Sequence, residues 1–428
     1  AGSAAIDANA NVSIVASQAT QQVDTTDGTL SGTAVALITK FNNTGFSYSG
    51  DVTVTDAATI AQLTTIDAAT TGTLTYTSMT DTSSNLATNT GSYVTGSVDV
   101  TVTSTSVTAA HLNTIDGLTS GTVTATAATA ITGTAAAIAT ALSSGGIDHS
   151  AANIVATVDA GSVAAADLNT IDTNSNNNVV ATAATTVTGT AANVITAYAA
   201  TTITGLGNEA LTLSGNTSVA NLATLDGDTT GVITATITEG DLDTLASLTN
   251  ANSNNALTIT ITDTAATAAE LNTLDTMTSV NVVGAAIATI ESSAVADVKT
   301  LITNQTTAGL DDNYTVTLSD SSIAATDITT VDTDTTGTVT VSAATITGNH
   351  ADITTAISSG GTSVAADVAA TSSNSMTTTQ LNSMDDITTG VITATISDGD
   401  LDTLASLTND HSNNALTITI TDTAATAA

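Results

Sequence analysis

The feature that most constrains this chain is a near duplication of itself. Gly231–Ala269 reads GVITATITEGDLDTLASLTNANSNNALTITITDTAATAA, and Gly390–Ala428 reads GVITATISDGDLDTLASLTNDHSNNALTITITDTAATAA. The offset is 159 residues, and 35 of 39 positions agree. The same offset relates Thr108–Asp116 (TAAHLNTID) to Thr267–Asp275 (TAAELNTLD). Copies this similar must fold alike, and units of this kind bury their apolar faces by stacking on neighbours rather than by closing on themselves.

A shorter period lies inside the long one. Segments related to A-x-L-N-T-I-D align on Leu37, Leu63, Leu86, Leu112, Ile138, Leu168, Val194, Leu222, Leu242, Leu271, Val298, Ile328, Ile353, Leu381 and Leu401, at an average spacing of about 26 residues. Six such spacings make one 159-residue unit. Each short repeat contains a run with β-branched residues at period two, such as Val52–Thr55, Val98–Thr103, Val123–Ala127, Leu257–Ile261, Tyr314–Leu318 and Val339–Val341; this pattern predicts a strand. Each also contains a short helical pattern. Thr267/Glu270, Thr59/Gln62 and Thr377/Gln380 fit capping boxes, and Ala268, Leu271 and Leu274 fall on one helix face. Helices this short need a surface to pack on.

These periods predict a repeat solenoid: an elongated parallel β-solenoid with a short helix in each coil of about 26 residues. Residues 1–428 read as one continuous solenoid of about fifteen coils, with super-repeats at approximately 1–71 (partial), 72–230, 231–389 and 390–428 (partial). Ala428 aligns with Ala269, one residue before a predicted helix. The expectation is that these residues are an excerpt of a longer repeat protein.

Composition bounds the core and the partners. Aromatics are 2% of the chain and Trp is absent, yet 41% of residues are hydrophobic; a thin core of small aliphatic side chains satisfies both facts. There are 39 acidic residues against two basic ones, Lys40 and Lys299, for a net charge of −37. Such a chain is not expected to bind nucleic acid, which requires Lys and Arg on phosphates, or to dock directly on anionic membrane. The absence of Cys excludes disulfides and thiolate metal sites. With no Pro, the turns fall to Gly, Asn and Asp.

The acidic residues are periodic. Asp67, Asp116, Asp172, Asp226, Asp275, Asp332 and Asp385 each follow the aligned apolar residue by four. An Asp at a helix C-terminus opposes the macrodipole, so the column implies either turn-forming use of the side chain or cation binding. Calcium is the cofactor the pattern admits. Its candidate ligands are Asp226 with Asp228, Asp332 with Asp334, and the clusters Glu239, Asp241, Asp243 and Asp398, Asp400, Asp402. None of these matches an EF-hand loop or the glycine-rich calcium nonapeptide. The Thr-Val-Thr strands would stack Thr in ranks on an outer face, which suits solvent, packing against another copy, or ice. His111, His149, His350 and His411 share no repeat position and no catalytic motif occurs, so no enzymatic activity is expected.

Runs such as TAAELNTLD, GTVTATAATAITGTAA and SVAAADLNTID, with the Cys-free, Thr-rich and acidic composition, resemble the repeats of giant extracellular bacterial proteins of surface layers, adhesins and filaments. The resemblance implies secretion to the cell surface and a structural or adhesive role. The expected function is therefore self-assembly into an extracellular filament or cell-surface layer, with copies of itself as partners. A monomeric adhesin stalk is the alternative, with cell-surface glycans as possible targets of a binding domain elsewhere, and an ice-binding or polysaccharide-acting solenoid is third.

Overall fold

Alternating Thr and aliphatic residues build strands too short to be stable alone, and each is completed by the strand of the next repeat. The computed structural model describes residues 29–43, 46, 48–150, 153–249, 254–304, 309–408 and 413–423. His411 and the terminal Ala428 lie outside the described residues, as do residues 1–28 of the first partial super-repeat.

Many short parallel strands alternate with short helices, an α/β repeat arrangement. Among the described residues the helices are α1 (Ala34–Phe41), α2 (Ile60–Asp67), α3 (Ser83–Thr88), α4 (Ala109–Leu118), α5 (Ala135–Ser143), α6 (Ala165–Ser175), α7 (Ala191–Ala199), α8 (Val219–Asp228), α9 (Leu242–Leu245), α10 (Ala268–Asp275), α11 (Val295–Thr303), α12 (Ala325–Asp334), α13 (His350–Ser358), α14 (Thr378–Asp385) and α15 (Leu401–Leu404). Every apolar position that marks the short sequence repeat falls in one of these helices. Most start with a Thr, Asn or Asp N-cap whose side chain accepts an N–H two or three residues on. The three capping boxes expected at Thr59, Thr267 and Thr377 all form.

Two compact units divide the chain, Ala1–Ser214 with Asp228–Gly231, and Gly215–Gly227 with Val232–Ala428. In the first, the strands Ser106–Thr108, Ala130–Gly133, Val155–Val158, Val179–Val180 and Ile203–Thr204 form one parallel sheet. Its register aligns Val107, Ile131, Ala156, Val179 and Ile203 in one buried row. In the second, the strands Ser322–Ala324, Thr345–Gly348, Ala369–Ser372, Ile392–Ile396 and Ala415–Ile418 do the same, with Ile323, Ile346, Ala370 and Ile392 in a row. Thr and Ser on the alternate positions face outward, as in Thr347, Thr371 and Thr393. A one-residue slip would put Thr in the core, so the period-two pattern holds the register.

Two features differ from the sequence reading. Many repeats carry two short strands rather than one, as with Val123–Thr124 and Ala130–Gly133 ahead of α5. A two- to four-residue strand is too short for alternation to be visible, and only pairing with the neighbouring repeat extends the backbone there. Leu242 and Leu401 are also not core residues. Each opens a four-residue helix capped by the preceding Asp, and is half-buried. In α9 the residue that enters the core is Leu245, 2% exposed.

Candidate functional site

The recurrent polar residues were the candidates for chemistry, and the L-N-T-x-D motif contains most of them. In α4, Leu112 and Ile115 are fully buried, as the helix period requires. Between them, Asn113 Nδ2 donates to the Ala137 carbonyl of the next repeat at 2.9 Å. Asn169, Asn272 and Asn382 donate in the same way to Asn193, Asp297 and Ser406. Thr114 donates back to Ala110 within its own helix. The Asp that ends the motif reaches forward again. Asp116 accepts from Ser144 Oγ at 2.8 Å, Asp332 from Ser359 Oγ at 2.6 Å, and Asp226 and Asp385 from Asn255 and Asn414 Nδ2 at 3.0 Å. Asp172 accepts from Thr202, and Asp67 from the Tyr93 hydroxyl at 3.2 Å. Six of the seven carboxylates of the column therefore join one repeat to the next, each meeting a hydroxyl or amide of the following repeat.

A second set of carboxylates meets helix N-termini. The first N–H of ten helices donates to a side chain of the following repeat. Seven acceptors are acidic: Asp56, Asp81, Glu239, Asp263, Asp320, Asp398 and Asp422; Ser104, Ser293 and Asn374 serve the other three helices. The distances run from 2.7 Å, as for Leu242 N to Asp263, to 3.1 Å, as for Val219 N to Glu239. A carboxylate there satisfies an orphan amide and faces the positive end of the helix dipole. This inter-repeat cap was missed in the sequence. Its signal is an Asp, Glu, Asn or Ser one to four residues before a predicted N-cap.

A third device is a Thr-x-Gly turn, also missed. Thr119 Oγ1 donates to the Val98 carbonyl of the preceding repeat at 2.6 Å and accepts from Gly121 N at 2.9 Å. Thr229/Gly231, Thr335/Gly337 and Thr388/Gly390 repeat the pair of bonds on Glu209, Tyr314 and Val368. These four Thr are buried. The Gly is needed because the neighbouring backbone passes where a Cβ would lie: 2.4 Å from Val98 O at Gly121, 2.2 Å from Tyr314 O at Gly337. Val280 stands at this position in one repeat, where Thr278 also accepts from Leu257 N and the turn is built differently.

The candidate calcium ligands are distributed among these roles. Asp226 and Asp332 belong to the forward-reaching column, and Asp334 accepts from the Tyr314 hydroxyl at 2.6 Å. Glu239 and Asp398 cap helices of the preceding repeat. Asp241 and Asp400 are the N-caps of α9 and α15, and the side-chain hydroxyls of Thr244 and Thr403, and then their amides, hold these carboxyls below the usual range. Asp243 and Asp402 are exposed in the first turns of those helices. Partial burial pushes the Asp228 carboxyl up. Among the described residues, no group of three or more His, Cys, Asp or Glu converges where it could hold a metal ion. The histidines stay apart: His111 and His350 lie in first turns, and His149 Nε2 is 2.9 Å from the Leu142 carbonyl. Asp148, beside His149, binds Ser150 instead.

The few aromatics also join repeats. Tyr76 donates to the Tyr93 carbonyl at 2.7 Å, with the rings edge-on at 6.3 Å. Burial, then the Tyr93 and Asp67 charges, push the Tyr76 phenol up to about 12. Burial, then the Asp334 hydrogen bond and charge, push Tyr314 up as well. Unfolding returns both toward the ordinary tyrosine value of 10.0. Above about pH 10 the unfolded chain therefore binds fewer protons than the fold, and stability declines as pH rises. Urea midpoints are expected to be level up to about pH 10 and to fall toward about pH 12. Replacing both tyrosines by Phe should flatten that limb; an unchanged limb would remove the assignment.

No protein-family model matches this chain, and no curated protein or solved structure matches it. The class the fold defines is an α/β repeat protein with short parallel strands and a helix per repeat.

Proposed function

We propose that this chain is a structural repeat protein, a parallel β-solenoid with a helix in each coil, that self-assembles into an extracellular filament or cell-surface layer. One observation carries the reading: contacts between repeats recur at the long period. Val219–Glu239 and Thr378–Asp398, Asn255–Asp226 and Asn414–Asp385, and Leu242–Asp263 and Leu401–Asp422 are the same bonds 159 residues apart. Identical units carry identical surfaces, and a heterologous contact between such surfaces propagates into a fibre or layer rather than closing. The acidic and hydroxyl side chains are engaged in holding repeats together, which suits mechanical continuity better than chemistry. The composition shared with extracellular bacterial repeat proteins supports a cell-surface location.

The monomeric stalk is the second reading, and the net charge of −37 favours it, since copies repel each other at low salt. Electron microscopy and sedimentation velocity on the purified protein separate the two. Assembly predicts ordered filaments or sheets that grow with protein concentration and with salt, because screening shortens the Debye length to about 8 Å at physiological ionic strength. Isolated particles at every salt and concentration would sink it. Running each condition with about 1 mM calcium and with chelator tests the cation reading, as extracellular sites are tuned to that range.

A further inference from the structure

Helix α9, in the second unit, is short. It has 4 residues, where α10 and α11 have 8 and 9. Beside it a groove of about 260 Å³ opens between α9 and α10, with apolar walls of Leu242, Leu245, Ala246, Ala269 and Met277 among the described residues. Asp243 and Glu270 also line it, and both are exposed. Lys299 is the one Lys or Arg of this unit, and it is bound to Asp327 at 2.6 Å. The groove is thus an apolar trough with an exposed carboxylate on each wall, that of Glu270 also accepting from Thr267 N and Oγ1 at 2.8 Å. Its volume falls below the roughly 300–1,000 Å³ of small-molecule pockets.

We propose that this groove takes a short amphipathic helix from a partner protein, with leucine-like side chains one turn apart and Lys or Arg beside them. The apolar stripe packs on the apolar walls of the groove, in the helix-in-groove mode. The basic residues pair with Asp243 and Glu270, which selects against acidic helices, including those of this chain. The inference goes beyond the assembly reading and holds for a single chain in solution.

The test is fluorescence anisotropy on the full chain with a labelled synthetic Leu/Lys amphipathic peptide of about 14 residues, long enough for about four turns. A peptide with the same lysines but Ala for Leu measures attraction to the acidic surface in general. Ala246→Phe/Ala269→Phe fills the groove from two exposed positions, and its thermal melt confirms folding. Asp243→Asn/Glu270→Gln removes the wall charges while Gln keeps the capping-box acceptor. The expected result is one Leu/Lys peptide per chain. Filling the groove should weaken binding about tenfold or more, equivalent to about 1.4 kcal/mol, and neutralising the walls severalfold. Equal binding of the Ala-for-Leu peptide, or full binding by the folded filled variant, would overturn the proposal in favour of diffuse charge attraction. Saturable self-association that the filled variant abolishes would overturn it in favour of a second copy.

Discussion

Gly337→Val is expected to lower stability by about 3 kcal/mol or more, seen as an earlier urea transition by circular dichroism. A Cβ at Gly337 would sit 2.2 Å from the Tyr314 carbonyl oxygen and 2.9 Å from that of Asn313. Both atoms are backbone of the preceding repeat, so no side chain can swing aside; the repeats themselves must part. Parting them also breaks the bond that Thr335 Oγ1 donates to the Tyr314 carbonyl. Gly117→Ala is the control. Gly117 lies in α4 with nothing within 4 Å of its would-be Cβ, and Ala there should stabilise by about 0.5–1 kcal/mol through helix propensity. A Gly337→Val variant as stable as wild type would show that repeat spacing is not set by this close approach.

Asn255→Ala is expected to cost about 3 kcal/mol, which follows from what it strands. Asn255 is 0% exposed; its Nδ2 donates to Asp226 and its Oδ1 accepts from Ile233 N at 2.8 Å. Asp226 is 5% exposed. Truncation leaves a buried amide without that acceptor and a buried carboxylate without that donor, each costing about 1–3 kcal/mol or more. Asn414 makes the same two bonds, to Asp385 and Ile392, and is itself half-buried, while Asp385 is 3% exposed. Water entering where the Asn414 amide stood can serve both partners, so Asn414→Ala should cost less, about 1–2 kcal/mol. Equal losses at the two sites would refute the burial argument.

Much of this architecture was legible in the sequence because it is periodic. Ala268, Leu271 and Leu274 read as one packed helix face from their spacing, and the Thr-Val-Thr runs read as strands with Thr on an outer face; burial agrees in both cases. The capping boxes were legible because both partners lie within one turn. The contacts that join repeats were not. Asp263 and Leu242 are 21 residues apart, and Asp226 and Asn255 are 29 apart. Nothing local distinguishes such an Asp from a turn former or a cation ligand. Gly337 likewise reads as a turn glycine, whereas its role is to admit the neighbouring backbone.

The sequence by itself determined the repeat lengths, the presence of strand and helix in each repeat, and most of the apolar residues that face inward. These follow from local periodicity and from side-chain volume, which act within a few residues. Only the tertiary structure decided what the acidic residues do. Whether a carboxylate binds a cation, caps a helix or meets an amide depends on which donors the next repeat brings within about 3 Å, and that register is set by backbone pairing across the interface.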